Sequence, residues 1–128
     1  MNKEFVPYEQ ALELKELGFD SNLIGGYKQD AVFYYEKGEL YYDYRTMYSS
    51  TSHEGQILAP LYQQAFRWFR EKYESTIHIY QYQDTQRWDF DIYDNIPEER
   101  DFGNPSYNTY EEAELACLKK LIEIVKNK

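Results

Sequence analysis

Apolar residues recur at intervals of three and four positions in three segments of the chain, which is the spacing of one helix face. These segments are 7–17, 60–73 and 110–126. Pro7 and Pro60 suit the first turn of a helix, and Gly18 suits the position after a last turn. Thr109 and Glu112 have the spacing of a capping box. The pattern therefore predicts three helices.

Two β-hairpins are predicted between these helices, and in the second of them apolar and polar residues alternate strictly. The predicted strands are 31–35, 40–44, 77–82 and 88–93. Gly38 would supply a positive φ in the first turn, and a two-residue loop at Asp84–Thr85 would place Ile79 opposite Phe90 in the second hairpin. The face opposite these apolar residues would be solvated and would carry His78, Tyr80, Tyr82, Arg87, Asp89 and Asp91.

The resulting order, α-ββ-α-ββ-α, predicts an α+β fold in one domain, 1–128. The two hairpins would form an antiparallel sheet with the helices packed on one face, and long loops would cover 45–58 and 94–108. Each helical segment opens with Tyr, two Glu or Gln residues and Ala: Tyr8–Ala11, Tyr62–Ala65 and Tyr110–Ala113. Either an internal ββα duplication or the packing needs of a helix start explains this repeat.

Charge and composition exclude several classes of function. The 128 residues include 14 Lys and Arg against 23 Asp and Glu, so the net charge is −9 and polyanions are repelled. The one cysteine, Cys117, excludes an internal disulfide, and no apolar run reaches the roughly 20 residues of a membrane span. We therefore expect a cytoplasmic protein that binds neither membranes nor nucleic acid directly and that needs no cofactor.

Tyrosine is unusually abundant, with 15 residues in the chain. In the first hairpin tyrosines occupy both faces, so one face must be covered by a loop, by a small ligand or by a protein partner. The residues predicted to bind a protein partner are Tyr34, Tyr41, Asp43, Tyr80, Asp89 and Asp91. Exposed hairpins and edge strands also leave a homodimer open.

Acidic residues are concentrated late in the chain. Ten of them lie between Asp84 and Glu114, against two arginines, Arg87 and Arg100. Such a surface either keeps the protein soluble or imitates duplex phosphates and attracts a basic partner, as an inhibitor of a nucleic-acid-binding protein would.

The alternative function is a small metal-dependent hydrolase. Its ligands for Mg²⁺, Mn²⁺ or Ca²⁺ would be His78, Asp89, Asp91 and Asp94. Alternating aspartates are more typical of a solvated strand face, which is the interpretation that we favour. A catalytic nucleophile and base could also lie near His53 and Glu54, but no third group that would orient them is evident. The chain has no phosphate-binding or nucleophile-elbow motif. We therefore predict no catalytic residue and favour a non-enzymatic role, with an enzymatic one left open.

Three blocks of sequence resemble those of short uncharacterised proteins from Bacteroidales gut bacteria and their phages and mobile elements: 5–20, a central block made of 59–60 and 64–73, and 110–122. The likeness covers the three predicted helices. It implies a phage or mobile-element origin and a small interaction protein that acts on a host factor. The resemblance implies no catalytic residue and no cofactor.

Overall fold

The computed structural model describes residues 4–19, 30–45, 56–93 and 107–127. The elements in chain order are α1 (Tyr8–Glu16), β1 (Asp30–Glu36), β2 (Glu39–Arg45), β3 (Gln56–Leu58), α2 (Tyr62–Tyr73), β4 (Thr76–Gln81), β5 (Trp88–Tyr93) and α3 (Tyr110–Lys126). The predicted α+β class is confirmed, as are the three helices and both hairpins. Strand β3 is an addition, within a segment that was expected to be a loop.

The chain divides into two compact units, residues 1–65 and 66–128, with the boundary inside α2. The expected single domain stays a prediction. Among the described residues, no helix is long and apolar enough to cross a membrane.

The first unit contains a three-stranded antiparallel sheet in the order β2–β1–β3. Lys37 and Gly38 both have positive φ, as a two-residue hairpin turn requires, and so the role expected of Gly38 is confirmed. Strand β3 pairs with the second edge of β1, where Leu58 lies opposite Tyr34. The two hairpins therefore form two separate sheets rather than one.

The core of the first unit forms where α1 and the residues before it meet this sheet. Phe5 packs on Phe33 with ring centroids 4.6 Å apart, and Tyr8 meets Tyr35 edge to face at 5.5 Å. The buried Tyr35 hydroxyl donates a 2.7 Å hydrogen bond to the Val6 carbonyl. These contacts connect the segment before α1 to the central strand.

Helix α1 ends in a Schellman motif. The Phe19 N–H donates to the Leu14 carbonyl at 2.9 Å, and the Gly18 N–H donates to the Lys15 carbonyl at 3.0 Å. Gly18 has a φ of 94°, which glycine adopts without strain. Leu14 and Phe19 are both buried, so the chain reversal also closes the core.

The second unit contains the β4–β5 hairpin, with α3 in contact with both strands. The predicted register is confirmed, since Ile79 lies opposite Phe90. The predicted two-residue loop is wrong: Tyr82 pairs with Arg87, and the loop has four residues, 83–86. The left-handed conformation of Gln86 closes this longer loop, because it lets the Gln86 N–H reach the Tyr82 carbonyl at 2.9 Å.

Aromatic residues flank the apolar face of this hairpin. Trp88 meets Tyr110 edge to face at 5.3 Å, and Phe90 stacks on Tyr107 at 6.0 Å. Two backbone hydrogen bonds join Trp88 and Tyr107, so part of the outer edge of β5 is already paired. The buried apolar residues of α3 are Ala113, Cys117, Leu118, Leu121 and Ile122.

Candidate functional site

The polar face of the β4–β5 hairpin is the principal candidate. We call it the tyrosine–carboxylate face, and its residues are Thr76, His78, Tyr80, Tyr82, Arg87, Asp89, Asp91 and Tyr93. The pairing register of β4 and β5 brings these residues together, because alternate residues of paired strands lie on the same face of the sheet. His78 lies opposite Asp91, and Tyr80 lies opposite Asp89.

The rings along β4 form a continuous row. His78 packs against Tyr80 with centroids 5.2 Å apart, and Tyr80 meets Tyr82 edge to face at 5.4 Å. The hydroxyl oxygens of the two tyrosines are 3.4 Å apart. His78 is exposed and both tyrosines are half-buried, so the row offers a fixed, partly apolar surface.

The environment of Tyr80 keeps its hydroxyl protonated. The hydrogen bond with Tyr82, burial and the charges of Asp89 and Asp91 together raise the pKa of Tyr80 well above its ordinary value. Asp89 and Asp91, the two carboxylates predicted for this surface, therefore both raise the pKa of the same tyrosine. Tyr80 remains a neutral donor or acceptor throughout the physiological range.

Asp89 departs from the solvated face that was expected. Only 6% of it is exposed, and its Oδ1 accepts a 2.7 Å hydrogen bond from the Phe90 N–H. The expectation of solvation is wrong at this residue, because a local backbone donor satisfies the carboxylate within the fold. Asp89 contributes charge to the face but little contact area.

Asp91 and Tyr93 carry the accessible end of the face. Asp91 is half-buried, Tyr93 is 39% exposed, and the Tyr93 hydroxyl donates to Asp91 Oδ2 at 3.4 Å. Sequence reasoning did not select Tyr93. The signal was its spacing, because residues two apart on a strand share a face.

The first hairpin repeats this arrangement. Tyr41 is 43% exposed, stacks on Tyr34 at 5.8 Å, and donates a 2.8 Å hydrogen bond to Glu39 Oε2. The hydrogen bond to Glu39 and the charge of that carboxylate raise the pKa of Tyr41. Asp43 lies opposite Val32 in the ladder. Each hairpin thus presents a tyrosine bonded to the carboxylate two residues before it.

The metal-site hypothesis finds only part of its residues in the described structure. His78, Asp89 and Asp91 share one face, whereas Asp94 lies outside the described residues. Within residues 4–19, 30–45, 56–93 and 107–127, no group of three or more His, Cys, Asp or Glu side chains could hold a metal ion. His53 and the neighbouring loop candidates also lie outside that part of the chain.

One buried acid was missed from the sequence. Glu114 is buried in α3, and burial raises its pKa although a hydrogen bond from Tyr110 opposes the shift. Burial and the charge of Glu114 raise the pKa of the fully buried Cys117, which disfavours the reactive thiolate form of this side chain. The Tyr110–Glu114 spacing of four residues was the available signal.

Comparison of the chain with protein-family models, with curated proteins and with solved structures gives no match. The resemblance to Bacteroidales and phage proteins therefore stays a prediction.

Proposed function

We propose that this chain is a non-enzymatic interaction module that binds a basic protein through the tyrosine–carboxylate face. The observation that carries the proposal is the Tyr93–Asp91 hydrogen bond beside the packed row of His78, Tyr80 and Tyr82. Ordered aromatic rings next to carboxylates suit an arginine or lysine side chain, which can contact a ring face and a carboxylate together.

Charge complementarity selects the kind of partner. A net charge of −9 repels nucleic acid and anionic membranes and attracts a basic protein surface. Tyrosines supply apolar contact area at low cost in side-chain entropy, which makes them frequent anchors of protein interfaces. We therefore place the aromatic anchors at the centre of the contact and the carboxylates around them.

A nucleic-acid-binding host protein is the sharper form of this partner. Its basic groove would accept a surface on which carboxylates replace phosphates, and the chain would then act as an inhibitor. The resemblance to phage and mobile-element proteins, which implies a small interaction protein that acts on a host factor, is consistent with this version.

The test is affinity capture of the tagged full chain from a Bacteroidales lysate at low and high salt. The wild-type chain should retain one stoichiometric basic protein at low salt and release it at high salt. Asp91→Lys and Tyr93→Ala should each weaken retention about tenfold or more, because the first reverses a carboxylate charge that faces the basic partner and the second removes an aromatic anchor. Matching circular dichroism melts would establish that both variants fold.

The matched control is Glu16→Lys, the same change of charge sign at an exposed position of α1. It should retain the partner as the wild type does. Equal loss in Asp91→Lys and Glu16→Lys would show that net charge, rather than this face, governs binding. Capture of no protein at either salt concentration would contradict the proposal.

A further inference from the structure

The outer edge of β4 borders the tyrosine–carboxylate face. The sheet of the second unit has two strands, and part of the outer edge of β5 already carries the hydrogen bonds between Trp88 and Tyr107. Within the described ranges of the chain, no strand pairs with the other side of β4. Such an edge is a template on which a further strand can form.

Two hydrogen-bonding observations determine which backbone groups of β4 point outward. The Tyr82 N–H donates to the Arg87 carbonyl at 2.9 Å, so the backbone of Tyr82 points toward β5. Trp88, which lies opposite Gln81, instead exchanges its backbone hydrogen bonds with Tyr107 on the far side of β5. Gln81 and Trp88 therefore form a non-hydrogen-bonded pair, and the backbone of Gln81 points away from β5.

The outward groups of β4 belong to every second residue. Backbone groups alternate in direction along a strand, so those of Ile77 and Ile79 point the same way as those of Gln81. Among the backbone hydrogen bonds between described residues, none reaches these outward groups. An incoming strand would supply the donors and acceptors that they lack within that part of the chain.

Strand β4 has none of the features that protect an exposed edge from pairing. Its six residues, Thr76–Gln81, include no Asp, Glu, Lys, Arg or Pro. Its register with β5 is continuous, so no bulge turns the edge away. Ile77 and Ile79 are half-buried, which leaves apolar area along the strand for a neighbour to cover. The edge is therefore suited to strand addition.

We propose that an extended segment of the basic partner adds to the outer edge of β4 as a third strand, with arginine or lysine at alternate positions. This inference rests on the proposed function and specifies the conformation of the partner segment and the spacing of its charges. In such a complex, main-chain hydrogen bonds supply affinity and alternate side chains supply selectivity.

The position of the charges explains why long cationic side chains fit. The polar side of an added strand lies beside the ring row of His78, Tyr80 and Tyr82, whereas the carboxylates Asp89 and Asp91 are one strand further away, on β5. Two strand spacings, about 10 Å, separate the added strand from β5. Arginine and lysine side chains can lie across the rings with their apolar stems and place their charged ends near the carboxylates.

A synthetic peptide of about eight residues, in which arginine alternates with threonine, is a suitable probe because it matches the length of β4. Its control has the same composition with all arginines in one block, so the charge is equal but the arginines no longer share one face. The alternating peptide should bind the full chain about tenfold or more tighter than the block peptide.

Amide NMR spectra of the isotope-labelled full chain identify where the peptide binds. The alternating peptide should shift the amide signals of Ile77, Ile79 and Gln81 and slow their hydrogen exchange. The amides of His78 and Tyr80, which already face β5, should change much less. This alternation along β4 distinguishes strand addition from contact with the side chains alone.

Ile79→Pro tests the same contact by mutation. Proline removes the outward N–H and leaves the hydrogen bonds between β4 and β5 in place, so binding of the alternating peptide should weaken about tenfold or more. Ile79→Ala is the control, because it also shortens the side chain but keeps the N–H, and it should bind nearly as the wild type does. Gln81→Pro and Gln81→Ala repeat the comparison at an exposed position, where folding is less affected.

Several results would overturn strand addition. These are unchanged amides along β4, equal affinity for the two peptides, or equal binding by Ile79→Pro and Ile79→Ala. Protection of the same amides in the chain alone, rising with its concentration, would show that a second copy occupies the edge and would also overturn it. Equal capture of a basic protein by the wild type and Ile79→Pro would overturn strand addition while leaving the proposed function standing.

Discussion

Four carboxylate side chains of this chain form their hydrogen bonds in two different environments. Asp91 and Glu39 each accept a hydrogen bond from a tyrosine two residues later on the same strand face. Asp89 and Glu114 are instead buried, the first bonded to a backbone N–H and the second to Tyr110. The first two carboxylates lie beside exposed tyrosines, whereas the two buried acids affect the stability of the second unit.

Glu114→Gln should stabilise the chain at neutral pH. Burial raises the pKa of Glu114 above its ordinary value of 4.5, so the unfolded chain releases this proton at lower pH than the folded chain does. Native stability therefore falls as pH rises from the unfolded value through the folded one. Gln can still accept the Tyr110 hydrogen bond without carrying a buried charge.

Urea unfolding of the wild type and Glu114→Gln at about pH 4 and about pH 7 measures this effect. The variant should gain free energy of unfolding at the higher pH, and the gain should shrink at the lower one. A gain of equal size at both would show that the carboxylate charge is not its cause.

At the scale of the elements, the start of each helix explains the sequence repeat. Its alanine is buried in all three copies, as Ala11, Ala65 and Ala113. Its third residue caps the helix start in two: Gln64 Oε1 accepts from the Leu61 N–H, and Glu112 Oε2 accepts from the Asn108 N–H. Helix-start chemistry accounts for the motif, and the duplication stays a prediction.

Thr109→Ala should reduce the free energy of unfolding by about 1 kcal/mol. The Thr109 hydroxyl accepts a 3.2 Å hydrogen bond from the Glu112 N–H at the start of α3, and alanine leaves that donor without its cap. Thr109→Ser keeps the acceptor and should change stability little. Equal losses in the two variants, measured by urea unfolding, would contradict a capping role.

Phe69→Ala should be among the most damaging changes in α2, with a loss of about 3–5 kcal/mol in the free energy of unfolding. Phe69 is fully buried and packs against Trp68 and Tyr73 at ring-centroid distances of 5.0 and 5.9 Å. The control on the same helix is Arg67→Ala, which removes an exposed ion pair with Glu71 and should cost less than about 0.5 kcal/mol. Similar losses in both would contradict this account of the core.

Periodicity predicted the elements well where a pattern was long enough to repeat. It predicted α3 and the register of β4–β5, but not β3, because three residues are too few to show alternation. Periodicity also did not predict the burial of Asp89, because strand alternation shows on which face a side chain lies but not what covers that face. The sequence predicted which residues of the candidate site lie on one face of the β4–β5 hairpin. It did not predict the contact between Tyr93 and Asp91, because Tyr93 was not among the predicted site residues.

At the scale of the whole molecule, the net charge determines which kind of partner the chain attracts. The excess of 23 acidic over 14 basic residues favours basic proteins over nucleic acid.

The most direct test of the central claim is hydrogen–deuterium exchange of the chain alone and in complex with its captured partner. Our account predicts that binding slows exchange of the amides in residues 76–93, the segment that carries the tyrosine–carboxylate face. Protection confined to other segments, with residues 76–93 unchanged, would contradict it.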